Sequence, residues 1–525
     1  MTCTLSAWIM SAWLSAAAEP QPAARALLLP ARARVGGAAG ARVVTRNLAW
    51  DGAATALIIC DMWDVHWCQG ATARVAELAP RVNAFAEAAR ARGVLVIHAP
   101  SDTMAAYADH PARRRAARAP AAAPAPESMR AWCPSIPSED GAVWPIDQSD
   151  GGCDCVPPCP EGRPWRGQIA AIRIAPEDAI TDSGVEVWNL LRAGGITNAI
   201  LAGVHTNMCV AGRPFGLRAL AAAGLNVVLA RDLTDTMYNS RARPRVSHFT
   251  GTDLVIEYIE RYICPTIDSS ALLGDAPFKF AADTRPRVVF ISAENEYGAA
   301  ESFASFAHGL ALTGGTAVEI LQAATDLAAP DAHHIPGMQA LDAADCVVLF
   351  ARRRALPPAQ MQRLRGYLGR GKPLIALRTS SHAFAAHGRV PQDLAQWPEF
   401  DREVLGCRYA GHEGGAQIVS IAPAAGAHPI LKGLQGPYTE GETLYRSTEL
   451  APSCTVLLVG SHVGADGAKP AAPPPDQPVA WTTTYRGAKV FYTSLGSGRA
   501  SFAKPWFRRM LANAVFWALE KPPPE

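Results

Sequence analysis

The 525-residue chain lacks a charge excess of either sign: Lys and Arg total 49, Asp and Glu 47, and the formal net is +2. A nucleic-acid binder is expected to carry a strongly basic domain, so that class is excluded. Charged residues are only 18% and apolar ones 49%, which excludes a disordered chain and leaves ample material for cores. Past the N-terminus, no uncharged apolar run reaches the roughly 20 residues of a membrane span, so the mature form is expected to have none. Twelve cysteines over this length are too sparse for a disulfide scaffold. Only Cys153, Cys155 and Cys159 cluster. A zinc reading wants four ligands, often as paired knuckles, and no second knuckle follows. In an exported protein a Cys153–Cys159 loop disulfide is the expectation, and surface cysteines without a role are the alternative.

Residues 1–18 carry no charged side chain, and Leu5 to Ala18 followed by Glu19-Pro20 resembles a secretory segment with a small-residue cleavage site, although the positive leading region is missing. Export to the periplasm or outside is therefore expected, with a mis-assigned start and a cytoplasmic protein as the alternative. Residues 19–50 read as an N-terminal extension.

From residue 51 short apolar runs alternate with helical patterns. Residues 56–60 and 94–98 read as strands around a helix at 72–92, and 185–193 as a helix before strands at 198–204 and 226–230. The Pro- and Arg-rich stretch at about 103–165 is too long for an ordinary connection and reads as a lid or embellishment. Residues 268–286 read as a linker. A second series runs over 287–521, with strands at 287–292, 317–321, 346–350, 373–377, 478–481 and 489–493, and helices near 301–312, 358–369 and 506–519. The expectation is α/β: two doubly wound, mostly parallel-sheet, Rossmann-like three-layer domains in tandem, at 51–267 and 287–521.

In the first domain a strand runs to Val204, a turn follows, and Cys209 is expected to open the next helix. A thiol there meets the positive end of the helix, which favours thiolate, and free backbone N–H groups can hold a developing oxyanion. A buried cysteine with no chemistry is the plainer alternative. Asp61 ends the first strand, and ligands in parallel sheets gather outside the carboxyl ends of the strands. It can serve as a general base if its strand neighbours that of Cys209; a turn cap is the other reading. Trp63 and Trp67 follow Asp61 and suit either a planar ligand or packing on one face. The polar run 231–239 either lines the pocket or holds the nucleophile turn.

IleIleCysAspMetTrpAsp (58–64), GlyIleThrAsnAlaIleLeuAlaGlyVal (195–204), ThrAsnMetCysVal (206–210) and LeuAlaArgAsp (229–232) together resemble the isochorismatase-like cysteine hydrolases over about residues 50–265. The resemblance implies an Asp–Lys–Cys triad and a cis peptide just before the nucleophile turn. Asp61 would be the base, Cys209 the nucleophile, and the N–H groups of His205 and Cys209 the oxyanion hole. The lysine position falls to Arg173, which can orient a carboxylate but cannot shuttle protons as lysine does. Some members hold a metal through Asp and His, for which His66, His98 and Asp102 are the weak candidates; no metal or other cofactor is called for. Trp63, His66 and Asp102 are candidate substrate contacts.

ArgValValPheIleSerAlaGluAsnGluTyr (287–297), AlaAlaAspCysValValLeuPhe (343–350), the run 371–384, HisProIleLeuLysGlyLeu (428–434) and the run 487–496 resemble the trehalose-utilisation, ThuA-like family, which has a class I glutamine-amidotransferase-like fold. Where amidotransferases place their cysteine this chain has Arg378-Thr379-Ser380-Ser381-His382, so glutaminase activity is not expected. No acid partner can be placed for a serine hydrolase, and Ser497 stands where relatives often have histidine. Glu294, Tyr297 and His382 are candidate liners of a sugar-like or small polar ligand pocket.

The reading is a hydrolase of a small-molecule amide bond acting through a covalent acyl-enzyme. Its partner is a small molecule, and homo-oligomerisation is left open. The rivals are a vinyl-ether hydrolase of the isochorismatase type and an exported non-catalytic protein binding carbohydrate-like ligands.

Overall fold

A computed structural model describes residues 25–36, 42–388, 390–464 and 474–523. The secretory-type segment at 1–18 lies outside the described residues. Among the described residues two compact units emerge, one within 25–34 and 46–284, the other comprising 35–36, 42–45 and the described part of 285–523.

The first unit is built on β1 (Ala26–Val35), β2 (Arg42–Asp51), β3 (Thr55–Cys60), β4 (Leu95–Ala99), β5 (Ala179–Ile180), β6 (Asn198–Val204), β7 (Asn226–Asp235) and β8 (Thr266–Ile267), in the order β2-β1-β8-β7-β6-β3-β4-β5. Strands β8 through β5 pair in parallel, and β1 pairs with β8 antiparallel. The period-2 rule explains the layers. Ala56, Ile58 and Leu201 point into one core with α3 (Gly184–Ala193) and α5 (His248–Tyr262). Leu57, Ile59 and Ile200 point into the opposite core with α1 (Gln69–Arg90). A strand buried on both faces must be apolar throughout, as β3 and β6 are.

Two local expectations are corrected. The helix expected to open at Cys209 does not form as one piece. Thr206–Val210 makes a single wide turn, Pro214 interrupts the chain, and α4 begins only at Leu217 and runs to Ala222. Second, most of the stretch read as a linker, 268–286, packs onto the first unit. Phe278 and Phe280 join its core, Asp232 accepts from the backbone and hydroxyl of Ser269 and from the Phe278 N–H, and Arg81 grips Asp275. The embellishment at 103–165, which carries the short helix α2 (Pro111–Ala117), is likewise anchored. It buries Met129, Ile136 and Ile146, and Glu139 receives a bidentate bond from Arg218 at 2.8 and 2.7 Å.

The second unit has the sheet order β10-β9-β11-β12-β19-β18-β17-β14-β15, using β9 (Arg287–Ala293), β10 (Ala317–Gln322), β11 (Cys346–Ala351), β12 (Leu374–Leu377), β14 (Ala416–Ile421), β15 (Tyr438–Glu440), β17 (Thr455–Val463), β18 (Gln477–Tyr485) and β19 (Ala488–Thr493). The remaining strands, β13 (Arg408–Glu413) and β16 (Leu444–Thr448), form a separate ribbon. The half from β10 to β19 is parallel, and the half from β19 to β15 continues antiparallel. Val288, Phe290 and Val348 pack with α6 (Ala299–Gly314) and α8 (Pro505–Ala518); Val289, Ile291 and Leu349 pack on the other face with α7 (Pro358–Gly369). Both units are α/β, Rossmann-like and layered as expected.

Candidate active site

Strand β3 has β6 on one side and β4 on the other, with Cys60 opposite Gly203 and Ala99. The residues that follow these three strands therefore converge. Gly203 makes the approach feasible: its φ is +106°, and a Cβ there would lie 2.0 Å from the Cys60 carbonyl oxygen. The Val204–His205 peptide is cis, as the family resemblance implies.

Asp61 follows β3, fully buried, with φ +47°. Its Oδ1 accepts the Ser101 N–H at 2.8 Å, and its Oδ2 faces the Arg213 Nε at 3.4 Å. The Cys209 thiol is another ionisable neighbour of this carboxyl. Burial raises the Asp61 pKa above the ordinary carboxylate value, while Arg213, Cys209 and Ser101 oppose that rise. Cys209 keeps some surface open, yet burial and the Asp61 charge hold its thiol well above the usual value, against the pull of Arg213. The expected thiolate-favouring helix terminus is absent, because Cys209 is the fourth residue of an isolated turn.

Arg173 is not part of this arrangement. It lies on an exposed segment, 3.5 Å from Glu87, and its backbone N–H is bonded to Asn83 on α1. The cation beside Asp61 and Cys209 is Arg213, whose own pKa those anionic neighbours raise. A sequence signal for it existed. Arg213 stands four residues after Cys209, its N–H bonds the Cys209 carbonyl at 3.0 Å, and that spacing puts two side chains on one face.

The weak metal candidates separate. His98 is buried with both ring nitrogens occupied, by Gln168 at 2.9 Å and Asp178 at 3.0 Å. Asp178 also receives two bonds from Arg90; despite its burial, these hydrogen bonds bring its pKa down to about 2. Asp102 lies at the rim, 3.9 Å from Arg213 and from Arg163. His66 sits in an aromatic cluster, 4.9 Å from His205 and 6.0 Å from Trp63 between ring centres, and burial lowers its pKa to about 4. Trp63 anchors that cluster through its Nε1–H to the Ser101 carbonyl at 3.1 Å and stacks at 4.3 Å on Trp165, which the embellishment contributes.

The polar run 231–239 holds the turn that carries Cys209. Thr206 Oγ1 meets Thr234 Oγ1 at 2.7 Å and donates to the Asp235 carbonyl at 2.9 Å, and Asn207 exchanges two bonds with the Met237 backbone.

In the second unit the centre is Arg378, one residue past β12 and nearly fully buried. Its guanidinium donates to Glu442 at 2.6 Å, to the Ser494 carbonyl and to Thr443 Oγ1, and lies 4.7 Å from the rings of both Tyr297 and Tyr445. His382 stands beside Tyr409 with ring centres 4.7 Å apart; burial and the nearby Arg353 and Arg352 lower its pKa to about 3, so the imidazole is neutral. Ser380 Oγ donates to the Leu349 carbonyl and accepts the Ala351 N–H, and the hydroxyl bonded to His382 belongs to Ser381. Glu294 caps a turn, its oxygens taking the N–H groups of Glu296, Tyr297 and Ala299. Of the three candidate liners, Tyr297 and His382 share the aromatic cluster around Arg378.

The family model described as ThuA, trehalose utilisation, matches residues 288–518. No curated protein matches the chain. Among solved structures, a ThuA-like protein from Parabacteroides merdae is 16% identical, with 46% of this chain and 93% of that one covered and a TM-score of 0.37. A cysteine hydrolase from Pseudomonas syringae is 17% identical, covering 43% and 93%, with a TM-score of 0.28. An isochorismatase family protein from Desulfovibrio vulgaris is 16% identical, covering 42% and 97%, with a TM-score of 0.24. The chain thus joins an N-terminal part similar to isochorismatase-family cysteine hydrolases to a C-terminal segment, residues 288–518, that matches the ThuA family.

Proposed function

We propose that the first unit hydrolyses a small-molecule, non-peptide amide bond through an acyl-enzyme on Cys209. The observation that supports this most is the Cys209 thiol beside the buried Asp61 carboxyl, with Arg213 3.4 Å from that carboxyl, outside the carboxyl ends of β3 and β6. As Cys209 Sγ adds to the substrate carbonyl carbon, its proton passes to Asp61, and the carbonyl becomes an oxyanion. The N–H groups of His205 and Cys209 are the donors this reading assigns to it. Collapse breaks the C–N bond, and the Asp61 proton leaves with the amine. Water, deprotonated by Asp61, then attacks the thioester and releases the acid and the thiol. Arg213 keeps a fixed positive charge beside whichever of the two groups is anionic, so it balances charge without carrying the proton.

The second unit is proposed as a ligand-binding domain without glutaminase activity. Its Arg378–tyrosine cluster suits a small polar molecule, and Ser380 is committed to backbone. Ammonia release from a panel of simple amides and carbamoyl compounds tests the main reading. Release that disappears in Cys209→Ala and persists in Ser380→Ala is expected; release that survives Cys209→Ala would overturn it. A vinyl-ether hydrolase would leave every amide intact.

A further inference from the structure

Four cysteines meet away from the hydrolase site. Cys153, Cys155 and Cys159 come from the embellishment, and Cys68 comes from the residue immediately before α1. Their sulfurs all lie within 4.8 Å of one another, with Cys68 and Cys155 3.8 Å apart. The three-cysteine cluster in sequence lacked a fourth ligand only because that ligand lies 85 residues upstream of Cys153 and is delivered by the fold. The expected Cys153–Cys159 disulfide is corrected with it: both are free thiols, and Cys153 Sγ instead accepts the Cys159 N–H at 3.5 Å.

We infer that Cys68, Cys153, Cys155 and Cys159 form a tetrathiolate site for one structural zinc ion. Three observations carry it. A zinc–sulfur bond of about 2.3 Å in a regular tetrahedron sets sulfurs about 3.8 Å apart, the Cys68–Cys155 spacing, whereas a disulfide needs about 2 Å. The sulfurs are also served as thiolates would be. The Gly70 N–H reaches Cys155 at 3.3 Å and the Gln69 N–H reaches Cys159 at 3.5 Å. These are the first N–H groups of the 22-residue α1, whose positive end stabilises the negative charge of a four-thiolate centre. Finally, the surroundings exclude water from one side: Cys68 and Cys153 are buried against Ala71 and Met237, with Met208 and Trp67 alongside. All-sulfur tetrahedral donor sets select zinc or iron, and four closed positions with no open coordination site define a structural role.

The site ties the C-terminal part of the embellishment to the start of α1. Met208, next to Cys209, packs in the same cluster, so the metal clamps the wall beside the nucleophile turn without touching the reaction. The inference does not depend on the chemistry assigned to Cys209.

The test uses full-length protein purified without chelator. Elemental analysis is expected to give about one zinc per chain. Replacement by cobalt should produce the thiolate-to-cobalt charge-transfer and tetrahedral ligand-field bands of a four-sulfur site, and mercurial titration should release the metal as four thiols react. Cys155→Ser should lose the metal and Cys209→Ser should keep it. Metal-free protein with disulfides among the four cysteines would overturn the inference, as would a cobalt spectrum unchanged in Cys155→Ser. Iron at the same stoichiometry would overturn the choice of zinc. If Cys155→Ser fails to fold, the zinc content and cobalt spectrum of the unaltered protein decide alone.

Discussion

The Cys209 thiol faces a buried carboxyl: burial raises the pKa of both groups, the Asp61 charge raises that of Cys209 further, and Arg213 restrains both. Alkylation of Cys209 by iodoacetamide should therefore be slow near neutral pH. Its rate should climb about tenfold per pH unit between about pH 7 and 9 without levelling, because the thiolate fraction is still rising. Arg213→Ala should slow it further, since it removes the charge that lowers the thiol pKa. Stopped alkylation followed by peptide mass spectrometry reads both, and a plateau below pH 7 would contradict the assignment. The same burial makes the Asp61 carboxylate costly. A folded pKa above the unfolded one gives stability that is present below the unfolded pKa and lost as pH rises through the folded value. Asp61→Asn should accordingly melt higher than the parent at about pH 7.5, by a smaller margin at about pH 4, while losing hydrolysis. Asp61 and Cys209 were legible because each ends or follows an unmistakable apolar strand. Arg213 was not, because the cation lies one turn past Cys209 and not ahead of α3, where the family resemblance places a lysine.

The turn between β6 and Cys209 rests on Gly203. A side chain there meets both a positive φ and the Cys60 carbonyl, with no flexible neighbour to give way. Gly203→Ala should cost about 3 kcal/mol or more in denaturant unfolding of the first unit and abolish hydrolysis; a change within about 0.5 kcal/mol would show the turn relaxes freely. In the second unit the buried Arg378–Glu442 pair is the exposed weakness of β12. Glu442→Gln leaves a charged guanidinium without its counter-ion and should cost about 3–5 kcal/mol, against about 1–3 kcal/mol for Ser380→Ala, which strips one acceptor from the Ala351 N–H. Strands were readable wherever both faces are buried, as at β6, whose bounds match the apolar run. The antiparallel strand β14 was missed because its half-exposed alternation lacks a continuous apolar run.

At the scale of the molecule, each unit has its own pair of cores on the two faces of its own sheet. We expect a fragment ending after Thr284 to keep hydrolase activity. One ending near residue 270 should lose it or precipitate, because it discards Phe278, Phe280 and one backbone partner of the half-buried Asp232. Equal behaviour of the two fragments in thermal melts would contradict that placement of the boundary. Composition alone marked 268–286 as a linker; what it hid was two aromatic side chains spaced to reach back onto α5, where Phe249 stacks on Phe280 with ring centres 5.5 Å apart. Among the described residues, no helix is long and apolar enough to cross a membrane.

The central claim is that Cys209 becomes covalently acylated during turnover. Rapid acid quench of the full-length protein mixed with an amide that it hydrolyses, followed by peptide mass spectrometry, measures this directly. The account predicts the mass of the acyl group on the peptide carrying Cys209, at a level that falls when Asp61 is replaced by Asn. Turnover with Cys209 unmodified at every quench time, or the acyl group on any other residue, would contradict it.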